Sequence, residues 1–360
     1  MNLGLLLSLG DSLKNFAKHG QDVRFVNYYL RHYCRHFEKV FLFSYERETY
    51  SGLPKNCLLV CPKFKLHRYI HGLILPFIHS QEYRQCDVFR CFHPSATIPA
   101  LVGKLIFRKK FVFNFNYDYQ ALAKVEGKAN LVPFLSLIES LAFRLADHVF
   151  VADEAMEKYV GKYVFTNKIT LVRNGADADL FRPSIRPMNK TKIILSVGRL
   201  DPAKNYGQLI EAISKIKPRV KLLIVGRGNL EKTLKDMAKK LDVNLEIIET
   251  IPHDKLPEIY NSADIYVQCS ISEAPVKTLL EAMSCGRPCV GTKVPGIRDV
   301  ISDGSDGLLV NLSVQGIKSG IETFLSDPKL AIRLGKNARK KIINKYSLQK
   351  FLQLETKVLS

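Results

Sequence analysis

The stretch Ile193-Ile194-Leu195-Ser196-Val197-Gly198-Arg199-Leu200-Asp201-Pro202-Ala203-Lys204-Asn205 decides the fold. A short run rich in Ile, Leu and Val ends in a glycine, as a buried strand does, and a helical spacing follows over Gly207–Lys215. The pattern then repeats. Lys221–Val225 reads as a strand, Gly226-Arg227-Gly228-Asn229 as a turn, and Leu230–Lys240 as a helix. Further strands are expected at Leu245–Ile248, Ile265–Gln268 and Cys289–Gly291, with a helix at Val276–Cys285. Strands alternating with helices imply βαβ units on a parallel sheet.

Working back toward the amino terminus, the same alternation recurs. Strands are expected at Leu3–Ser8, Val40–Tyr45, Cys57–Cys61, Val88–Phe92, Phe111–Phe115 and His148–Ala152. Helical patterns occupy Asp22–His36, Ala96–Ile106 and Val132–Ala146, the last placing Phe134, Ile138, Leu141 and Leu145 on one face. A polar connector with Pro183 and Pro187 separates the halves. The expected fold class is therefore α/β, with two Rossmann-like domains facing each other across a cleft. Their expected bounds are 1–182 for an acceptor-binding domain and 183–340 for a nucleotide-sugar-binding domain. A helical segment over 341–360 would pack back on the first. A length of 360 residues suits two domains of ~100–200 residues each.

The chain carries 54 Lys and Arg against 34 Asp and Glu, a net charge of +20. Residues 1–182 hold 25 basic and 16 acidic residues, and 183–360 hold 29 and 18, so the excess is not a tail. Such a surface favours anionic partners. Local peaks lie at Lys63–Arg68, before the apolar stretch Ile70–Ile78, and at Lys104–Lys110. Basic residues beside Leu73-Ile74-Leu75-Pro76-Phe77 suit an anionic membrane surface. No apolar run is long enough to cross a membrane. Leu3–Leu9 is short, lacks a basic leader and reads as a buried strand, not a signal peptide. The eight cysteines form no CxxC pair and read as buried reduced thiols, which points to the cytoplasm.

Four loops follow strands of the second half directly and belong at the carboxyl edge, where ligands bind such sheets. In the first, Arg199 and Lys204 flank a turn that opens a helix. A forked guanidinium, an ammonium and helix N–H groups together fit a diphosphate. Standing alone, the loop reads equally as an exposed basic turn. The second, Gly226-Arg227-Gly228-Asn229, lacks the third glycine of a dinucleotide fingerprint, so it is weak evidence for NAD and reads as a turn that lets a ligand come close. The third runs Ser270-Ile271-Ser272-Glu273-Ala274-Pro275-Val276-Lys277-Thr278 and on to Glu281. Proline suits a first helical turn, which leaves Glu273 in the loop and Glu281 two turns in. The pair could serve sugar and ribose hydroxyls, or be a cap and an exposed glutamate. The fourth, Gly296-Ile297-Arg298-Asp299 with Asp303-Gly304 and Asp306-Gly307, reads as tight turns.

In order and spacing these loops resemble the carboxyl-terminal domain of retaining GT-B glycosyltransferases of family 4, the glycosyl transferases group 1. The likeness runs from Arg173-Asn174-Gly175 to about Gly307. Arg90-Cys91-Phe92-His93 and Asp147–Ala152 resemble strands of the family's first domain more loosely.

The resemblance implies a transferase that moves a hexose-type sugar from a nucleoside-diphosphate sugar to a glycan or lipid-linked acceptor. It would act with retention and without a metal or other cofactor. Arg199 and Lys204 would hold the diphosphate beside Gly198. Glu273 would face the donor sugar, and Glu281 would bind the ribose. Ala274, Pro275, Val276, Lys277 and Thr278 would line sugar and phosphate, with Gly226 close by and Ile251 at the base. In the first domain Gly10 would approach the phosphates, and His93 or Asp118 would face the sugar from the acceptor side. Three positions depart from the family pattern: Ala274 and Asp299 stand where glycine and glutamate are usual, and Asp11 follows a lone Gly10.

The alternative is a non-catalytic GT-B scaffold that binds a sugar nucleotide or a partner protein. A nucleic-acid partner is not expected, because the basic residues show no aromatic interleaving and no nucleic-acid-binding module is present.

Overall fold

The computed structural model describes all residues except 19, 65, 117, 118, 121, 122, 124–126, 128, 174, 185–190, 274 and 275. The chain divides into two compact units. One comprises Met1–Arg173 with Phe351–Ser360, the other Asn174–Lys350.

The first unit holds a seven-stranded sheet. Its strands are β1 (Asn2–Leu6), β2 (Lys39–Phe43), β3 (Cys57–Val60), β4 (Val88–Cys91), β5 (Lys110–Phe115), β6 (His148–Val151) and β7 (Ile169–Leu171). Their order is β3-β2-β1-β4-β5-β6-β7, and every pairing is parallel. The central strands are buried on both faces, which explains their near-continuous apolar runs. Phe111, Phe113 and Phe115 face one side and Val112 the other, and all four are buried.

The second unit holds β8 (Ile193–Val197), β9 (Lys221–Val225), β10 (Asn244–Ile248), β11 (Ile265–Gln268), β12 (Cys289–Thr292) and β13 (Leu308–Val310). The order is β10-β9-β8-β11-β12-β13, again wholly parallel. Two parallel sheets in an α/β arrangement are what the alternation of strands and helices predicts. Strand order reverses between β1 and β4 in one sheet and between β8 and β11 in the other. At such points neighbouring loops diverge to opposite faces and open a crevice at the carboxyl edge.

Two short strands differ from the sequence reading. Leu308–Val310 reads as the end of a turn but forms edge strand β13, and β7 has no counterpart in the expected set. Each is three residues long, too short for a period to show. The expected helix over Asp22–His36 is present but wound as a π-segment over Phe25–Leu30. The helix Val132–Leu145 buries Glu139, Ala142 and Phe143, so the face shared by Phe134 and Leu141 lies outward.

Among the described residues no helix is long and apolar enough to cross a membrane.

Candidate functional site

In the second unit the loops after β8 and β11 meet at the switch point. The backbone N–H of Ile271 donates to the Ala203 carbonyl at 2.8 Å, and Asn205 Nδ2 to the Cys269 carbonyl at 3.2 Å. Cys269 Sγ lies 3.1 Å from the Lys204 carbonyl. A short turn, Pro202–Lys204, precedes the helix Tyr206–Ser214, and Asn205 joins them in the left-handed region at φ 57°. Asparagine tolerates that region better than most residues.

This tie brings Lys204 and Glu273 together. Lys204 Nζ donates to both carboxylate oxygens of Glu273, at 2.6 and 2.8 Å, and both side chains are largely buried. A Cβ at Gly198 would lie 3.1 Å from Lys204 Cε, so the glycine leaves the lysine its path. Arg199 is placed elsewhere: it is 82% exposed and pairs with Asp201 at 3.0 Å.

Glu281 lies on the helix Lys277–Ser284, which also starts at this edge, and is buried. One oxygen meets His253 Nε2 at 3.0 Å, and the other accepts from the Tyr260 hydroxyl at 2.9 Å. Burial, followed by the Glu281 charge, raises the Tyr260 phenol well above its ordinary pKa, so it stays a donor. Phe181 stacks edge-on against both His253 and Tyr260. His253 and Tyr260 were not among the expected site residues. The sequence marks the loop after β10 only at Ile251, and a tyrosine on an apolar helix face reads as core. Ile251 is half-buried and packs on the same core.

A buried polar chain supports the helix start. Thr278 Oγ1 and the Tyr266 hydroxyl both donate to Gln268 Oε1, at 3.2 and 2.6 Å, and Gln268 Nε2 donates to Ser270 Oγ at 2.9 Å. Val276 is buried, and Lys277 and Thr278 are half-buried. Ala274 and Pro275 lie outside the described residues. A side chain at Gly226 would overlap the Gly198 carbonyl oxygen, so the close approach of the β8 and β9 loops is what requires that glycine. Asp299 accepts from Gly296 N–H at 3.0 Å and caps a helical turn.

The pair Asp177 and Asp179 has the x+2 spacing of acids that hold metals in other proteins. Here Asp177 is buried and accepts from the N–H groups of Asp179 and Leu180 and from Gln349 Nε2, which makes it a cap. Among the described residues no three His, Cys, Asp or Glu side chains converge as a metal site.

In the first unit, Gly10 turns the loop after β1 at φ +90°, with Arg68 packed against it. Asp11 accepts from Asn15 Nδ2 at 2.8 Å. His93 follows β4. Its Nδ1 accepts from Ser95 N–H at 3.1 Å, and Ser95 Oγ accepts from Leu9 N–H at 3.2 Å, linking the β1 and β4 loops. Burial lowers the His93 pKa to about 4, so the ring is neutral and its Nε2 carries the proton. Asp118 lies outside the described residues.

Below His93 is a buried charge. Arg90, in β4, donates to Glu355 at 2.8 Å, and the Tyr33 hydroxyl donates to the same carboxylate. Phe92 and Phe150 lie against the guanidinium at 4.8 Å each.

Residues 177–341 match the family described as Glycosyl transferases group 1. The N-acetyl-alpha-D-glucosaminyl L-malate synthase of Bacillus anthracis is 30% identical over 169 residues, 46% of this chain and 44% of that enzyme. The Escherichia coli UDP-Gal:alpha-D-GlcNAc-diphosphoundecaprenol alpha-1,3-galactosyltransferase is 30% identical over 207 residues, 52% of this chain and 53% of that one. The chain thus spans about half the length of the curated relatives it matches. The crystal structure of Anabaena HepE in complex with UDP superposes with a TM-score of 0.77 at 16% identity, covering 100% of this chain and 99% of that one. The chain therefore has the α/β fold of GT-B glycosyltransferases, and its second unit is matched to the glycosyl transferases group 1 family.

Proposed function

We propose that the protein transfers a hexose-type sugar from a nucleoside-diphosphate sugar, UDP foremost, to a glycan or lipid-linked acceptor, with retention of configuration. The observation that carries this reading is the Lys204–Glu273 pair at the switch point of the second sheet. An ammonium poised beside a carboxylate can exchange that partner for a diphosphate, which frees the carboxylate to accept sugar hydroxyls. Relatives point the same way: one is named for a UDP-galactose donor and a diphosphoundecaprenol acceptor, and HepE crystallises with UDP-glucose.

In this reading the bond from the anomeric carbon to the phosphate oxygen breaks, and its electron pair leaves on the nucleoside diphosphate. The acceptor oxygen bonds to the anomeric carbon on the same face, and its proton passes to the departing phosphate. Negative charge grows on the β-phosphate as positive charge grows on the sugar. Lys204 and Arg199, the latter swung in from Asp201, hold the first without a metal. Glu273 steadies the sugar. Glu281, held rigid by His253 and Tyr260, meets the ribose. His93 offers its neutral Nε2–H to a sugar hydroxyl, and Gly10 leaves room for phosphate. The protein works in the cytoplasm, at the membrane face where lipid-linked acceptors are presented.

The test is a panel of UDP-, GDP- and ADP-sugars, scored first by thermal stabilisation and then by transfer to diphospholipid acceptors. One stabilising sugar nucleotide whose product keeps the donor's anomeric configuration is expected. Stabilisation by none would sink the proposal.

A further inference from the structure

Three helices of the first unit, Arg68–Ile78, Thr97–Phe107 and Val132–Leu145, lie side by side, and the first two touch through the rings of Phe77 and Phe107. Each turns large apolar side chains outward. The first exposes Ile70, Leu73 and Phe77, spaced for one face, and Leu73 is 52% exposed. The second exposes Leu105 (68%) and Ile106. The third exposes Phe134, Leu137 (58%) and Leu141. Soluble surfaces scatter such residues singly, and a contiguous set marks an interaction site.

Charge identifies the partner. Residues 63–110 contain nine Lys and Arg against two Asp and Glu, and among the described ones of the nine only Arg90 is buried, against Glu355. None of the three helices carries an exposed carboxylate, because their one acid, Glu139, is buried. Arg68 and Arg144 lie on the helices themselves and are exposed, and exposed Arg108 follows the second. Asp147, just past the third helix, is neutralised by Lys104 at 2.7 Å, which leaves Arg68, Arg108 and Arg144 as the cations framing the apolar face, a pattern that matches an anionic lipid surface. The face also reaches the chemistry. Arg68 opens the first helix and packs on Gly10 at the carboxyl edge of the sheet.

We propose that this three-helix face docks on an anionic lipid bilayer, with Arg68 at headgroup depth beside the loop after β1. A lipid-linked acceptor would then meet the first unit without leaving the membrane. This rests on the reading of the acceptor as lipid-linked. The face itself is named by geometry and charge.

Flotation of the full chain with vesicles of phosphatidylcholine, alone or mixed with phosphatidylglycerol, tests it. Binding to the mixed vesicles should exceed binding to the neutral ones by about tenfold and fall with salt. The double substitution Leu73→Glu with Leu137→Glu should lower flotation by about tenfold at an unchanged melting temperature. Ile332→Glu, at an exposed apolar residue of the second unit, should leave flotation unchanged. If the double variant misfolds, hydrogen exchange on the native chain replaces it, and vesicles should protect residues 68–78 and 132–145. Equal flotation with both vesicle types, native-like flotation of the folded double variant, or no protection of these helices would overturn the proposal. So would a native dimer that the double variant converts to monomer, which would make the face an interface between copies. Transfer to a short-chain soluble acceptor, assayed without vesicles, separates the two readings. Flotation without transfer leaves the docking face standing and defeats the glycosyltransfer reading. Transfer without flotation does the reverse.

Discussion

The two units share a parallel sheet with a switch point, yet they equip that point in opposite ways. The second unit places charge there: Lys204 against Glu273, and Glu281 between His253 and Tyr260. The first places there a histidine held uncharged by burial and a glycine at positive φ, with exposed Arg68 against the glycine and, among the described residues, no buried ion pair at the loop. The buried pair Arg90–Glu355 sits deeper and is sealed by aromatic rings. The difference teaches that one fold can present a fixed electrostatic site or a permissive edge. In the proposed reading a diphosphate binds the former, and an acceptor presented by lipid meets the latter with its apolar flank.

The largest effect should follow from opening the sealed pair. Arg90→Met leaves Glu355 buried without its cation, and loss of one partner of a buried pair costs about 3–5 kcal/mol. Denaturant unfolding should show that loss. If Glu355→Gln is added to Arg90→Met, stability should partly return, because the stranded charge is gone. A loss from Arg90→Met below about 1 kcal/mol would show the pair to be dispensable.

Next in size is Lys204→Ala. Removing one preorganised cation should lower transfer by about 10²–10³-fold. The exposed Arg199 should matter less, and then mainly once donor is bound. Equal losses for Arg199→Ala and Lys204→Ala would mean that the arginine already occupies the site.

Tyr260→Phe removes one hydrogen bond to Glu281 and should cost about 1 kcal/mol of stability, with a weaker hold on nucleotide than on sugar. Calorimetry with UDP and with UDP-glucose should show the same fractional loss for both.

The last effect is absent at neutral pH and appears only in acid. The folded pKa of His93 is about 4 and its ordinary value is 6.5, so between these the unfolded chain binds a proton that the folded chain refuses. Stability should therefore fall as pH drops from about 6.5 toward 4, and His93→Gln should flatten part of that slope. His32, His71, His79 and His148, also lowered chiefly by burial, should account for the rest. An unchanged slope in the His93 variant would place its titration elsewhere.

Much of the fold was legible because its interior strands are buried on both faces and write themselves as apolar runs between turn glycines. β13 and β7 were not, since three edge residues show no period. In the second unit Lys204 and Glu273 stand out as charges in loops after strands and Glu281 as a charge on the helix that follows, whereas the groups that hold Glu281 do not. Tyr260 looks like any core aromatic. Arg90 and Glu355 are 265 positions apart, and nothing local announces their pairing. The outward face of Val132–Leu145 misleads for a physical reason: apolar spacing reports that a face avoids water, not that protein covers it.

The central claim is that Lys204 grips a diphosphate in the second unit. Isothermal titration of UDP into the native chain and into Lys204→Ala tests it most directly. Loss of one charge-assisted contact of about 1.5–3 kcal/mol should weaken binding by about tenfold or more, with the variant still folded. Equal affinities for UDP in the two proteins would contradict it.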